Sequence, residues 1–405
     1  MKILMVNKFL YPNGGSETYI FKLGEEFVRL GHEVEYFGME HEGRIVGNRV
    51  QSYTSNMDFH TGKLQKLKYS FKIIYSVEAR KKLKKVLEDF EPDVIHLNNF
   101  NFQLTPSIIY EVKGFDKKRR KKTALVYTAH DYQWVCPNHM FRIPETGELC
   151  MRCAGGKSGN CAKYRCIHNS RMKSILGTLE GKLYGRLRTY RHIDRIICPS
   201  EFMNKALSNN SLLRDKTITL HNFIESVPDK SGCRKKDYVL YFGRYAEEKG
   251  VKTLLNVCRE LSDIPFIFAG NGPMKGEVEK VSNVTEKGFL SGQELKETIR
   301  EAQFVVFPSE WYENCPFSVM EAQTYGTPVV AANIGGTPEL IRRGVTGELF
   351  ESGNEQQLKD CIERLWKDKS RCMKYAENCR TITFDTISEY ADKLIKIYEE
   401  AKKEK

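Results

Sequence analysis

Short apolar runs alternate with helix-length amphipathic stretches twice over along this chain, once on each side of a polar break at 225–237. A strand followed each time by a helix cannot pair with the next strand as a hairpin, so each alternation implies a parallel sheet covered by helices. The runs at 2–6, 32–37, 93–97, 123–128, 195–198 and 217–221 predict the strands of a first sheet. Those at 238–242, 265–269, around 285 and 304–307 predict a second. Between them the spacing predicts helices at 18–30, 251–261 and 275–280, with Ser200 capping another and Pro316 starting one. A closing helix at 388–401 has apolar residues at helical spacing and can pack on either half.

A chain of 405 residues exceeds what one hydrophobic core fills. The expected division is 1–223, with a Cys-rich insertion at 136–168, then 224–385, and a terminal helix at 386–405 returning to the first domain. The fold class is α/β: two Rossmann-like domains whose parallel sheets face a central cleft, where ligands meet the carboxyl ends of strands. With 40% hydrophobic and 29% charged residues and no low-complexity tract, disordered and fibrous classes are excluded. The first apolar run lacks a basic segment before it and meets Asn7 and Lys8 at once, which reads as a strand rather than a signal peptide. No stretch is apolar enough to span a bilayer, so a cytoplasmic location is expected. Six basic residues run from 117 to 122, and 63–86 holds nine Lys/Arg against one Glu with apolar residues interleaved. Such patches suit either an anionic membrane surface, peripheral at the inner face, or a solvated helix face.

Three segments carry chemistry. Asn13-Gly14-Gly15-Ser16-Glu17 follows the first strand and opens a helix, so backbone N–H groups can face an anion there; a tight turn that needs glycine explains it equally. It is not G-x-G-x-x-G, and a dinucleotide is not expected. Gly243-Arg244 after a strand and Lys249-Gly250 before a helix place two cations suited to a diphosphate at the sheet edge. Glu313 precedes the helix that Pro316 starts, and Glu321 lies more than a turn inside it. Two carboxylates at this spacing fit substrate hydroxyls, an acid and base pair as in glycoside hydrolases, or an amphipathic helix with two exposed glutamates.

Taken in order, Gly14-Gly15, Gly243-Arg244 with Lys249, Gly270-Asn271-Gly272-Pro273, Glu313 with Glu321 and Gly335-Gly336-Thr337-Pro338-Glu339 resemble the signatures of family-4 retaining glycosyltransferases of the GT-B fold, of the kind found in bacterial surface polysaccharide assembly. The resemblance implies retaining transfer of a hexose-type sugar from a UDP- or GDP-type nucleoside-diphosphate sugar to a glycan or lipid-linked acceptor, without a catalytic metal or other cofactor. It implies catalytic roles for His130, Arg244, Lys249 and Glu313. It implies substrate contacts for Gly14, Gly15, Gly243, Asn271, Gly272, Cys315, Pro316, Phe317, Ser318 and Glu321, the last on the donor ribose. Pro316 stands where many relatives have glycine and removes one N–H donor, which leaves Phe317 and Ser318 to contact the sugar. For His130, in Ala129-His130-Asp131, a satisfied core histidine is the alternative. A nucleotide-sugar epimerase of the same architecture is a second reading of the whole chain. A zinc-containing nucleic-acid-binding protein is a third, weakened by the lack of interleaved aromatics in the Cys segment, and no nucleic-acid partner is expected.

Cys136, Cys150-Met-Arg-Cys153, Cys161, Cys166 and His168 crowd into one polar segment. The Cys-x-x-Cys step has zinc-ligand spacing, so a structural Zn²⁺ is one expectation; reduced unligated thiols are another and an iron–sulfur cluster a third.

Overall fold

The computed structural model describes residues 1–56, 72–225 and 234–403. The expected basic stretch at 63–86 and the break at 225–237 lie partly outside these residues. The chain divides into two compact units, Met1–His221 with Ile387–Lys405, and Asn222–Thr386.

In the first unit, β1 (Lys2–Val6), β2 (Glu33–Phe37), β3 (Val94–Leu97), β4 (Ala124–Thr128), β5 (Arg195–Cys198) and β6 (Thr217–Thr219) form one sheet in the order β2-β1-β3-β4-β5-β6. Every pairing is parallel. β3 and β4 are buried along their whole length, as the unbroken apolar runs of a sheet covered on both faces require. The helices include α1 (Gly15–Arg29), α2 (Val77–Phe90), α3 (Ser107–Arg119), α4 (Arg171–Arg186) and α5 (Glu201–Ser208). Ser200 caps α5 as expected, its hydroxyl accepting from the Met203 amide at 3.1 Å.

The run at 117–122 ends α3, where cations complement the helix dipole. Its members pair inside the unit: Lys118 with Glu88 (3.5 Å), Arg119 with Glu91 (3.9 Å), Lys121 with Asp93 (3.1 Å) and Lys122 with Asp194 (2.8 Å). The acids interleaved with these cations in space are distant from them in sequence. Among the described residues no helix is long and apolar enough to cross a membrane.

The C-terminal helix Ile387–Lys403 is fastened to the first unit by a buried polar relay. Tyr398 Oη meets His96 Nδ1 at 2.6 Å, His96 Nε2 meets Thr128 Oγ1 at 2.7 Å, and Tyr19 Oη bridges Thr128 (3.2 Å) and Tyr390 Oη (2.9 Å). Burial, with a smaller contribution from His130, pushes His96 down to about 3, so the ring is neutral and its two nitrogens divide donor and acceptor roles.

The second unit contains β7 (Val239–Phe242), β8 (Phe266–Ala269), β9 (Val284–Glu286), β10 (Phe304–Phe307), β11 (Val329–Ala332) and β12 (Gly347–Phe350), ordered β12-β11-β10-β7-β8-β9 and again all parallel. Its helices include α6 (Val251–Glu260), α7 (Gly292–Glu301), α8 (Phe317–Thr324), α9 (Glu355–Lys367) and α10 (Lys369–Cys379). The expected helix at 275–280 is a single turn, Lys275–Val278. β12, with Gly347 and Glu348 in four residues, has little strand character of its own and is ordered by pairing with β11.

Both sheets are doubly wound and reverse direction next to their first strand, between β1 and β3 in one unit and between β7 and β10 in the other. Loops leaving adjacent strands diverge there, which opens a crevice at the carboxyl ends.

Candidate active site

In the second unit this crevice gathers most of the expected residues. Lys249 Nζ donates to Glu313 Oε1 at 2.7 Å, and Ser309 Oγ donates to the same oxygen at 2.7 Å. Lys249 also lies 5.0 Å over the Trp311 ring. Arg244 is exposed and salt-bridged to Glu248. Glu313 is only 7% exposed, which excludes the reading of an amphipathic helix with two exposed glutamates.

Two glycines set this geometry. Gly250 has φ +70°, and a Cβ on it would stand 1.9 Å from the Pro308 carbonyl oxygen, so the Lys249 turn and the strand-end loop meet backbone to backbone. Gly335 has φ +60°, and a Cβ there would stand 2.3 Å from the Glu313 carbonyl oxygen, which accepts the Gly336 amide at 2.8 Å. Gly335→Ala is therefore expected to destabilise the second unit by about 1–3 kcal/mol and to displace Glu313. A thermal melt equal to wild type would show that the loop absorbs the methyl group.

α8 begins at Phe317 with Pro316 as its N-cap, so Glu313 stands ahead of the helix and Glu321 within it. Burial, with help from Glu225, pushes half-buried Glu321 up to about 7. Phe317 and Ser318 occupy the first turn, whose amides lack partners within the helix. The Cys315 side chain lies in the core, where its sulfur and carbonyl receive the Asn222 backbone and side-chain N–H groups at 3.3 and 2.9 Å and hold the loop.

A cavity of about 260 Å³ lies between the Gly243-Arg244 and Gly270-Asn271 loops and the segment Phe289, Leu290 and Leu295. Gly272 adjoins it, its amide donating to Asn271 Oδ1 at 2.8 Å. The sequence reading missed Phe289, which is 79% exposed; an aromatic three residues beyond a strand end was the available signal.

In the first unit Gly14 is the N-cap of α1 and Gly15 its first residue, both outside the core. The helix end already carries a carboxylate: buried Glu17 accepts from Asn7 Nδ2 and Ser16 Oγ at 2.9 Å each. Asn99 joins this group through Asn7 Oδ1 (3.0 Å) and Ser16 Oγ (3.1 Å). His130 leaves the end of β4, edge-on to Tyr19 with ring centres 4.9 Å apart. The Asn98 amide nitrogen faces the His96 carbonyl (3.2 Å), which leaves Asn98 Oδ1 to accept from His130 Nε2 at 2.8 Å. His130 is thus the Nε2–H tautomer, with acceptor character on Nδ1. Burial outweighs Asp131 and pushes it down to about 4, so it is neutral at physiological pH.

Cys136, Cys150, Cys153, Cys161 and Cys166 line one small cavity, whereas His168 is exposed away from it. Among the described residues no three His, Cys, Asp or Glu side chains are already arranged as metal ligands.

A fold of two doubly wound α/β units, the second with cations and a paired carboxylate at its switch point, defines a nucleotide-binding architecture of the GT-B type. The Glycosyltransferase Family 4 profile matches residues 13–226, more than half of the chain, and the profile described as Glycosyl transferases group 1 matches 224–382. The chain belongs to glycosyltransferase family 4. Alpha-D-kanosaminyltransferase of Streptomyces kanamyceticus is 31% identical over 42% of this chain; the chain spans about half the length of that relative (48%). An uncharacterized 42.6 kDa protein in the cps region of Klebsiella pneumoniae is 23% identical over 84% of this chain and 88% of its own length. Among solved structures, Anabaena Alr3699/HepE in complex with UDP superposes with a TM-score of 0.67 at 17% identity, covering 99% of this chain and 100% of that one, which shows the GT-B fold.

Proposed function

We propose that this chain transfers a sugar from a nucleoside-diphosphate sugar to a glycan or lipid-linked acceptor in cell-surface polysaccharide synthesis, with retention at the anomeric carbon and without a catalytic metal. The observation that carries the reading is the Lys249–Glu313 pair, with Arg244 nearby, at the switch point of the second unit. Departure of a nucleoside diphosphate places negative charge on phosphate and positive charge on the sugar ring. Lys249 and Arg244 answer the first need in place of a metal ion, and Glu313 binds the sugar hydroxyls. Each cation is held by a carboxylate, Glu313 or Glu248, which positions it for the diphosphate. The α8 amides of Phe317 and Ser318 face the sugar, Glu321 binds the ribose, and the cavity beside Phe289 takes the base. Gly14 and Gly15 let backbone approach the phosphates. His130, neutral, offers an uncharged contact near the reacting sugar. The UDP in HepE and the sugar transfer named for the Streptomyces relative support the donor class.

The test is release of nucleoside diphosphate from UDP-, GDP- or ADP-sugars with and without EDTA, and the product's anomeric configuration by NMR. Inversion would remove the retaining mechanism. Failure of every donor to release diphosphate with cell-envelope acceptors would remove the transferase reading.

Glu321 gives this reading a pH signature. Ribose hydroxyls donate to its ionised form, whereas the unliganded carboxyl holds a proton up to about pH 7. Donor affinity is therefore expected to rise with pH, by up to about tenfold per unit below pH 7, and to level off above it. The diphosphate of a nucleotide sugar is fully ionised throughout this range, so the dependence belongs to the protein. Titration calorimetry should show it, and a Glu321→Gln profile as steep as wild type would assign it elsewhere.

A further inference from the structure

We infer that the four buried cysteines Cys136, Cys153, Cys161 and Cys166 form a tetrathiolate site for one Zn²⁺ ion, which folds the insertion of the first unit. Three observations lead there. First, the segment has a small apolar core: Phe141 packs on Tyr132, and around the sulfurs the buried cluster is only Ile143 with Cys153, Cys161 and Cys166, with Cys150, Tyr164 and Ile167 at the margin. Second, the four thiols converge although up to thirty residues separate them in sequence. Each lies within electrostatic reach of the other three, and Cys161 and Cys166 are hydrogen-bonded through their side chains. Third, backbone amides are aimed at the sulfurs. Asn138 and Phe141 N–H donate to Cys136 Sγ, and Cys161 N–H donates to Cys153 Sγ. Such donors are in place for sulfur that a metal would hold as thiolate; as a thiol, Cys136 donates to Asn138 Oδ1 at 2.8 Å.

The size of the site selects the ion. The cavity among the sulfurs has a volume of about 10 Å³, room for a single water-sized sphere. That is the room one metal ion takes. Thiolate donors favour zinc over the hard cations that oxygen ligands hold. The sulfurs are not at ligand distance from one point, but each thiol swings on a single torsion, and all four already face the same space. Binding releases the four thiol protons to solvent and leaves a net charge of −2, which Arg142 at the cavity wall and Arg152 beside the cluster offset. Cys150 is half-buried at the rim, with Arg152 Nη1 donating to its sulfur at 3.5 Å, and stands outside the ligand set.

The test uses the full chain and needs no assay of transfer. Protein purified under reducing conditions is expected to carry about one zinc per chain by elemental analysis. Co²⁺ supplied after chelation should give the intense visible absorption of tetrahedral thiolate cobalt, which Zn²⁺ then bleaches. Less than about a tenth of an equivalent of zinc after reconstitution, or Co²⁺ spectra without tetrahedral bands, overturns the site. So does recovery of the four cysteines as disulfides from anaerobically prepared protein. Cys153→Ala is expected to lose the metal, with Cys258→Ala, buried in the second unit, as the control that retains it. Because Cys153→Ala can also fail to fold, the measurements on unmutated protein decide the metal. Retention of the Co²⁺ bands in Cys150→Ala supports the ligand choice, and their loss overturns it.

Discussion

Lys249→Ala is expected to lower turnover of the nucleotide-sugar donor by about 10²–10³, the scale for removing one preorganised charge from a developing anion. The same substitution leaves the Glu313 carboxylate almost fully buried with the Ser309 hydroxyl as its donor, which should cost roughly 2 kcal/mol of stability. The two effects separate in Lys249→Ala/Glu313→Gln. An uncharged amide no longer needs the ammonium group, so the double variant regains most of the lost melting temperature while turnover stays low. Recovery of stability and turnover together would make the pair a structural contact with no part in the chemistry. Near wild-type kcat in Lys249→Ala would remove the lysine from the donor site.

The second large effect is a pH dependence of stability in the first unit. Glu180 in α4 is 4% exposed, accepts from Asn101 Nδ2 at 3.2 Å, and faces a cavity of about 410 Å³ shared with Trp134, Arg186 and Arg188. Burial pushes its carboxyl up to about 8, so the folded chain keeps this proton at pH 7 while the unfolded chain, near 4.5, has lost it. The stability it allows is complete below about pH 4.5 and is lost as pH rises to about 8. At about 1.36 kcal/mol per pH unit this approaches about 5 kcal/mol across the window. Glu180→Gln is neutral at every pH and lacks this slope. Melting curves at intervals from pH 5 to pH 8 should show the variant gaining on wild type as pH rises. Parallel curves would mean that the cavity hydrates the carboxylate.

Much of the fold is legible in local sequence, because a strand buried on both faces has to be apolar throughout and a helix has to start and stop on recognisable residues. β1, β5 and β10 coincide with their expected ranges, and the cap at Ser200 is in place. Helices α3, α4 and α7 went unread, and so did β11, β12, α9 and α10, which follow the most informative motifs. There, short or charged segments take their conformation from neighbours rather than from their own pattern. The candidate site divides in the same way. Arg244, Lys249, Glu313 and Glu321 announce themselves as charges at strand and helix ends. Phe289 does not, since its place beside the Gly243 and Gly270 loops depends on the order of β7, β8 and β9 in the sheet. Cys315, inside the motif, faces the core because Asn222, far away in sequence, closes over it.

The sequence by itself determined that this chain makes two parallel α/β units, and it determined which charged residues and glycines stand at strand ends, because hydrophobic periodicity and turn chemistry act over a few residues. Only the tertiary structure decided which partners those charges take. Lys249 sits on Glu313, the basic run at 117–122 is matched by Glu88, Glu91, Asp93 and Asp194, and His130 is held as a neutral tautomer by Asn98. It likewise brought Cys136, Cys150, Cys153, Cys161 and Cys166 to one cavity and left His168 exposed. Ion pairing and burial depend on distance in space, and folding brings residues together with little regard to their separation along the chain.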